Sequence, residues 1–205
     1  MSGEDPYTDP ETGVLYNKLG LRSSEELQAA ERDITWRRAR EVADSPPAAT
    51  YDLDHLRAIH RRLFSDLYDW AGELRSVDIA KTDLFCRPQF ISDQARQLFG
   101  RLAADDNLRG LPRDRLVDAA AHYLGEINAL HPFRDGNGRA QRAFIAQLAA
   151  GAGHPIDWAG LDEAENVAAS VASFLGDPAP LRRLLDRHVS HPAPSARPDP
   201  KPSWS

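Results

Sequence analysis

The sequence predicts a mainly α-helical domain carrying one short β-hairpin. Three observations carry that prediction. Apolar residues recur at helical spacing, with Leu56, Ile59, Leu63, Leu67 and Trp70 on one stripe and Leu116, Ala120, Tyr123, Ile127 and Leu130 on another. Helix starts and stops are marked by capping residues, Pro and Gly. Only one stretch, Gly72 to Phe90, alternates in the manner of a strand.

Residues 1–22 are turn-rich and predicted to be irregular, with Val14, Leu15, Tyr16 and Leu19 able to pack onto a body. Ser23 with Glu26 forms a capping box that opens a helix to about Ala43. Its apolar positions are Leu27, Ala30 and Ile34, and Ser45-Pro46-Pro47 breaks it. A second helix is expected over about residues 52–69. Within about 75–90, Val77 and Ile79 alternate with polar neighbours, Thr82-Asp83 can turn, and Leu84-Phe85 resumes an apolar run. This reads as a hairpin, and a lone two-stranded hairpin is marginal in water, so it must lie against helices.

Ser92 is a candidate cap for a helix of about 93–105. The 116–130 stripe is a helix buried along one side and ending at His131-Pro132. Asn137 to Ala150 lacks Pro and is rich in Ala, Gln and Leu, so it should form another helix, stopped by Gly151-Ala152-Gly153. Two more helices are expected near 161–175 and 179–189. Pro192, Pro194, Pro198, Pro200 and Pro202 predict a disordered tail over 191–205. Trp36, Trp70 and Trp158 are expected in the core or an interface, and Trp204 in the tail. The chain divides into an N-terminal arm and helix (1–50), a core (51–190) and the tail.

Bulk properties narrow the possible functions. A chain of 205 residues with 41% hydrophobic and 27% charged residues suits one soluble domain. A net charge of −6 argues against direct nucleic-acid binding through a general electrostatic footprint. No apolar run approaches the ~20 residues needed to cross a bilayer, so no membrane role is expected. Met1 to Asp9 is polar and acidic, unlike a secretory signal. The one cysteine, Cys86, permits no internal disulfide, fits a reducing cytoplasm and reads as a small packed side chain.

The chemistry concentrates in His131-Pro132-Phe133-Arg134-Asp135-Gly136-Asn137-Gly138-Arg139-Ala140-Gln141-Arg142. Gly136 and Gly138 let the backbone approach a ligand closely. The helix they open presents free N–H groups, an anion site suited above all to phosphate. Arg139 and Arg142 are three apart and share a face beyond that site, where their planar forks suit phosphate. Asp135 would be repelled there unless a cation such as Mg²⁺ bridges it to the phosphates. His131 can take a proton near neutral pH. Phe133 reads as a core anchor for the loop, and Arg134 is assigned no role. The stretch reads as a nucleotide-phosphate site with a base beside it.

At every specified position these twelve residues match H-P-F-x-(D/E)-G-N-G-R-x-x-R, and the chain thereby resembles Fic domains. Gly125 to Leu130 also resembles the helix that leads into that signature. The isolated pairs His154-Pro155 and His191-Pro192 lack the Phe, the acid and the Gly-Asn-Gly turn. The resemblance implies a Fic-fold helical bundle with a hairpin flap over the active site. It implies transfer of AMP from ATP to a hydroxyl side chain of a target protein. His131 would be the general base and Asp135 the holder of Mg²⁺ between the α- and β-phosphates. Gly136, Asn137 and Gly138 would form the nest, with Arg139 on the β-phosphate and Arg142 on the γ-phosphate. The flap residues Val77, Asp78, Ile79, Ala80, Lys81 and Phe85 would pair main chain with an extended segment of the target, Lys81 and Phe85 near the tip.

Many members carry an inhibitory helix with (S/T)-x-x-x-E-(G/N), yet no Ser or Thr here is followed by Glu four residues on. Leu15-Tyr16-Asn17-Lys18-Leu19-Gly20-Leu21, followed by Glu31-Arg32-Asp33, resembles the class inhibited by a separate small antitoxin. By that resemblance the chain is a bacterial toxin acting on DNA gyrase and topoisomerase IV, and an antitoxin Glu engages Arg142. Alternatives are transfer of a phosphoryl group, another nucleotide or phosphocholine, or a non-catalytic binding module on the same scaffold. The intact signature disfavours the last. A metal-dependent hydrolase is disfavoured because no His/Asp/Glu cluster shows ligand spacing.

Overall fold

Helix starts in this chain follow local chemistry, and tertiary contacts decide where several of them stop. The computed structural model describes residues 5–79 and 85–190. Among these, the helices are α1 (Ser24–Asp44), α2 (Leu53–Phe64), α3 (Pro88–Ala104), α4 (Arg113–Leu130), α5 (Asn137–Gly151), α6 (Glu163–Phe174) and α7 (Ala179–His188). A single 3₁₀ turn, Asp106–Leu108, lies between α3 and α4. The side chains of Ser23, Asp52 and Asp162 accept from the backbone N–H groups of Glu26, His55 and Glu165, capping α1, α2 and α6.

The helices pack in a chain of neighbours: α1 on α2, α2 on α5, α5 on α4, α4 on α7, and α7 beside α6. Leu56, Ile59, Leu63 and Phe64 of α2, Leu116 and Ile127 of α4, and Phe144, Ile145 and Leu148 of α5 are buried at the centre. The loop between α4 and α5 therefore emerges from the best-packed part of the molecule. It is the twelve-residue stretch singled out above.

The structure corrects the sequence reading in several places. Helix α2 ends at Phe64, not near residue 69. The N-terminal arm takes over the next carbonyls, with Lys18 N–H donating to Leu67 (2.8 Å) and Lys18 Nζ to Ser65 (2.9 Å). Leu67 and Trp70 still pack inward, through turns rather than a helix. Helix α3 begins at Pro88, five residues before the expected start, because proline suits a first turn; Ser92 caps nothing. In the arm Val14 is buried, whereas Tyr16 and Leu19 are exposed. Trp36 is 62% exposed, so it belongs to no core.

The expected hairpin lies partly outside the described residues, with Ala80, Lys81, Thr82-Asp83 and Leu84. Its described flanks, Val77 to Ile79 and Phe85 to Arg87, form no strand, and Phe85 N–H donates to Ile79 C=O across them (3.2 Å). The tail 191–205, with Trp204, also lies outside the described residues. Among the described residues no helix is long and apolar enough to cross a membrane.

His60 on α2 fixes the loop ahead of α5. Its Nδ1 accepts from Gly72 N–H (2.8 Å), so Nε2 carries the proton and donates to Asp135 C=O (3.0 Å). The ring is stacked between Phe133 and Phe64. Burial pushes its pKa down from 6.5 to about 4. The unfolded chain thus binds a proton that the folded chain refuses, and this contribution to stability is full above pH 6.5 and lost as pH falls towards 4. The loss should reach roughly 3 kcal/mol from this one group. NMR of the imidazole protons should show His60 neutral down to about pH 4, and urea unfolding between pH 7 and 4 should show the decline.

Candidate active site

A loop that reverses direction between two buried helices must satisfy its own backbone polar groups. His131 makes the first turn by adopting left-handed backbone (φ +44°) as the C-cap of α4, with its N–H donating to Ile127 C=O. Its Nδ1 donates to Asn128 C=O (3.2 Å), which makes Nε2 the nitrogen that can accept a proton. Phe85 stacks on the imidazole at 3.8 Å and Phe174 meets Phe85 edge-on. The His131 side chain is held at a defined angle and is largely buried.

Asn137 staples the rest of the loop. Its Oδ1 accepts from Phe133 N–H (2.9 Å) and its Nδ2 donates to Phe133 C=O (2.8 Å). Its side chain is therefore committed to the loop, and only its main chain can contribute to the nest. Gly136 caps α5 with φ +75°, and a Cβ there would lie 2.3 Å from the Phe64 ring. Asp135 Oδ1 accepts from Gly136 N–H (2.5 Å), and the first helical bond of α5 is Ala140 N–H to Gly136 C=O. The N–H groups of Asn137, Gly138 and Arg139 thus open α5 with no capping side chain. This is where the sequence reading expects an anion nest, and a helix N-terminus without a capping side chain has the donors for one.

The two arginines differ in their surroundings. Arg139 donates from Nη2 to Glu31 and from Nη1 to Thr35 Oγ1 (3.0 Å), both on α1, with Cζ 4.8 Å above the Phe64 ring. Among the described residues no carboxylate pairs with Arg142. Its Nη1 lies 3.4 Å from where a Cβ of Gly138 would be, so the missing side chain leaves room for the guanidinium. Burial, and then the nearby Arg139, hold the Arg142 guanidinium below its usual range. Both arginines thus lie beside the opening of α5, Arg142 next to Gly138 and Arg139 over the Phe64 ring that abuts Gly136.

Comparison with known proteins places this geometry in a family. The sequence profile of the Fic/DOC family matches residues 50–149. The chain is 42% identical to protein adenylyltransferase VbhT of Bartonella schoenbuchensis over 187 residues, covering 91% of this chain and 39% of that one. The Escherichia coli protein named "Probable protein adenylyltransferase Fic" is 38% identical over 92% of this chain and 94% of its own length. The chain belongs to the Fic/DOC family. The crystal structure of the BepC protein of Bartonella tribocorum with bound AMPPNP superposes with a TM-score of 0.86 at 26% identity, covering 95% of this chain and all of that one. The helical bundle is a Fic fold.

Within this Fic/DOC chain the structure brings His131, Asp135, the nest, Arg139 and Arg142 around one loop. It moves Phe85 away from the flap tip. The side chain is buried against His131 and its N–H is bonded to Ile79, so it walls the site instead of offering an exposed docking edge. Val77, Asp78 and Ile79 lie in irregular backbone, and Ala80 and Lys81 lie outside the described residues.

Three contributors lay outside the motif reading. Arg75, buried, donates from Nε to His131 C=O (2.8 Å), from Nη1 to Val77 C=O (2.7 Å) and from Nη2 to Cys86 C=O, while its N–H bonds Pro132 C=O. Arg134, at the variable position, donates from Nε and Nη2 to Asp5 and from Nη2 also to Thr8, strapping the arm to the loop. His60 holds Asp135 from below. A buried polar side chain amid an apolar stripe was the signal available for His60; Arg75 and Arg134 carried none.

Gly136→Ala should cost both backbone strain and space, since the left-handed conformation penalises a Cβ by roughly 1–2 kcal/mol before the clash with Phe64. The expected result is a lowered melting temperature with loss of ADP binding by calorimetry, both larger than for Gly153→Ala, where a Cβ meets nothing within 4 Å.

Proposed function

We propose that this chain is a protein adenylyltransferase, transferring AMP from ATP to a hydroxyl side chain of a target protein. The observation that carries the reading is a His with an accepting Nε2 at one end of the loop and an anion nest flanked by two arginines at the other. His131 Nε2 takes the proton of a Ser, Thr or Tyr hydroxyl as its oxygen attacks the α-phosphorus. The bond from the α-phosphorus to the bridging oxygen breaks, and pyrophosphate leaves. The N–H groups of Asn137, Gly138 and Arg139 hold the departing phosphates, with Arg139 on the β- and Arg142 on the γ-phosphate. The naming of the relatives as adenylyltransferases and the AMPPNP bound by BepC support the donor.

Asp135 fits Mg²⁺ as a single hard-oxygen ligand, the usual protein share when phosphates supply the rest. Among the described residues no group of three or more metal-ligating side chains is present, which fits an ion arriving with its nucleotide. Bound there, Mg²⁺ would neutralise charge on the leaving pyrophosphate.

The same reading extends to regulation and target. The chain acts as a cytoplasmic bacterial toxin on subunits of DNA gyrase and topoisomerase IV, and a small antitoxin inserts a Glu opposite Arg142. The arginine without a carboxylate partner is the one available to such a Glu, and Arg139 is already paired within the chain. In bacterial lysate with Mg²⁺ and ATP labelled at the α-phosphate, label should enter a band the size of a topoisomerase subunit and vanish with His131→Ala. Label from γ-labelled ATP alone would instead mean phosphoryl transfer, and none from either would mean a binding module.

A further inference from the structure

We infer that Glu31 of α1 is a positioning residue for the nucleotide's β-phosphate, holding Arg139 beside the anion nest. The inference rests on the proposed phosphate role of Arg139. A carboxylate next to a phosphate-binding arginine has two possible meanings. It can compete with the phosphate, or it can orient the arginine for it. The geometry separates them.

Glu31 is buried, and both of its oxygens are used: Tyr68 Oη donates to Oε2 and Arg139 Nη2 to Oε1. Thr35, one turn later, accepts from Arg139 Nη1 (3.0 Å) and donates its own hydroxyl to Glu31 C=O (2.6 Å). Two side chains at i and i+4 of one helix thus grip the end of the guanidinium. A guanidinium has five N–H donors, and these contacts engage two of them.

Where the gripped guanidinium sits decides between the meanings. Phe64 is the common floor: its ring lies 4.8 Å under Arg139 Cζ and abuts Gly136 so closely that a Cβ would come within 2.3 Å. Arg139 is therefore held within one ring's breadth of the nest, not drawn away from it. An arginine already ordered at the nest gives up less side-chain freedom when phosphate arrives. Glu31 also sets a negative charge against the two neighbouring arginines, easing their mutual repulsion before any nucleotide binds. Arg142 has no such partner on α1, so the device is specific to the first arginine.

ADP and AMP isolate the effect, because ADP adds only the β-phosphate. Calorimetric titration of the full chain with each nucleotide and Mg²⁺ provides the measurement. Glu31→Gln keeps the size of the side chain and an acceptor for Tyr68, so the fold should survive. We expect ADP to bind about tenfold more weakly and AMP to change by less than about twofold. Thr35→Val should shift ADP the same way by less, and carries the test if Glu31→Gln unfolds. In an Arg139→Ala background, Glu31→Gln should add no further loss.

Tighter ADP binding by Glu31→Gln would make Glu31 a competitor and overturn the inference. So would an unchanged ADP affinity, an equal loss for AMP and ADP, or a full additional loss in the Arg139→Ala background. If Arg139→Ala alone leaves ADP binding intact, the phosphate assignment of Arg139 fails and Glu31 loses its role with it. If Arg139→Ala weakens ADP but Glu31→Gln does not, only the inference fails.

Discussion

The site depends on one constraint: the loop from His131 to Gly136 is polar backbone buried between helices, and its carbonyls must be met by donors from elsewhere. An unpaired buried carbonyl costs about as much as a lost hydrogen bond, roughly 1–3 kcal/mol. Arg75 meets His131 and Pro132, Asn137 meets Phe133, and His60 meets Asp135. Each donor comes from a different part of the chain: the flap stem, α5 and α2. Satisfying the backbone therefore locks these parts together, and the lock fixes the angle of the His131 ring and the opening of α5. Burying the Arg75 guanidinium is itself unfavourable, and burial lowers its pKa. Carbonyls from three segments offset that cost only in this arrangement.

The electrostatics of the site follow from the same frame. The first-turn N–H groups of α5 and two arginines concentrate positive charge at one end of a buried helix. Such a concentration without a ligand is costly. Glu31 offsets part of it at Arg139, whereas Arg142 makes no ion pair among the described residues and feels the Glu163 carboxylate only at a distance. The two arginines of the signature are thus unequal before any ligand binds: one is anchored to α1, the other faces the nest from beside Gly138.

The N-terminal arm is part of this site. Asp5 and Thr8 hold Arg134, Tyr7 Oη accepts from Ser76 N–H (3.0 Å) at the base of the flap, and Lys18 takes carbonyls beyond α2. The arm has little regular structure of its own; Thr8 and Leu15 form an isolated bridge. Its order comes from polar contacts with the loop and the flap stem, with Val14 supplying the buried apolar anchor. Arg134 occupies a position where the signature tolerates any residue, so its pairing with Asp5 is a feature of this chain and not of the pattern.

Local chemistry determined much of this protein. The apolar stripes of α2 and α4, the Ser23 cap, the break at Ser45-Pro46-Pro47 and the twelve-residue signature are all written in short stretches of sequence, because side-chain periodicity and capping act within a few residues. The start of α5 after Gly136 was legible for the same reason, since a glycine turn followed by a Pro-free helical run suffices to place it. Tertiary structure decided what depends on distant partners. It ended α2 early as the arm took up the carbonyls of Ser65 and Leu67 beyond it, turned Phe85 from the expected hairpin tip onto His131, and spent the Asn137 side chain on the loop. It also recruited Arg75, His60 and Glu31, residues 56 to 108 positions distant in sequence from their loop or arginine partners. Hydrogen bonds between such residues leave no periodic trace in a sequence; they exist only where packing has brought a buried polar group to another that must be satisfied.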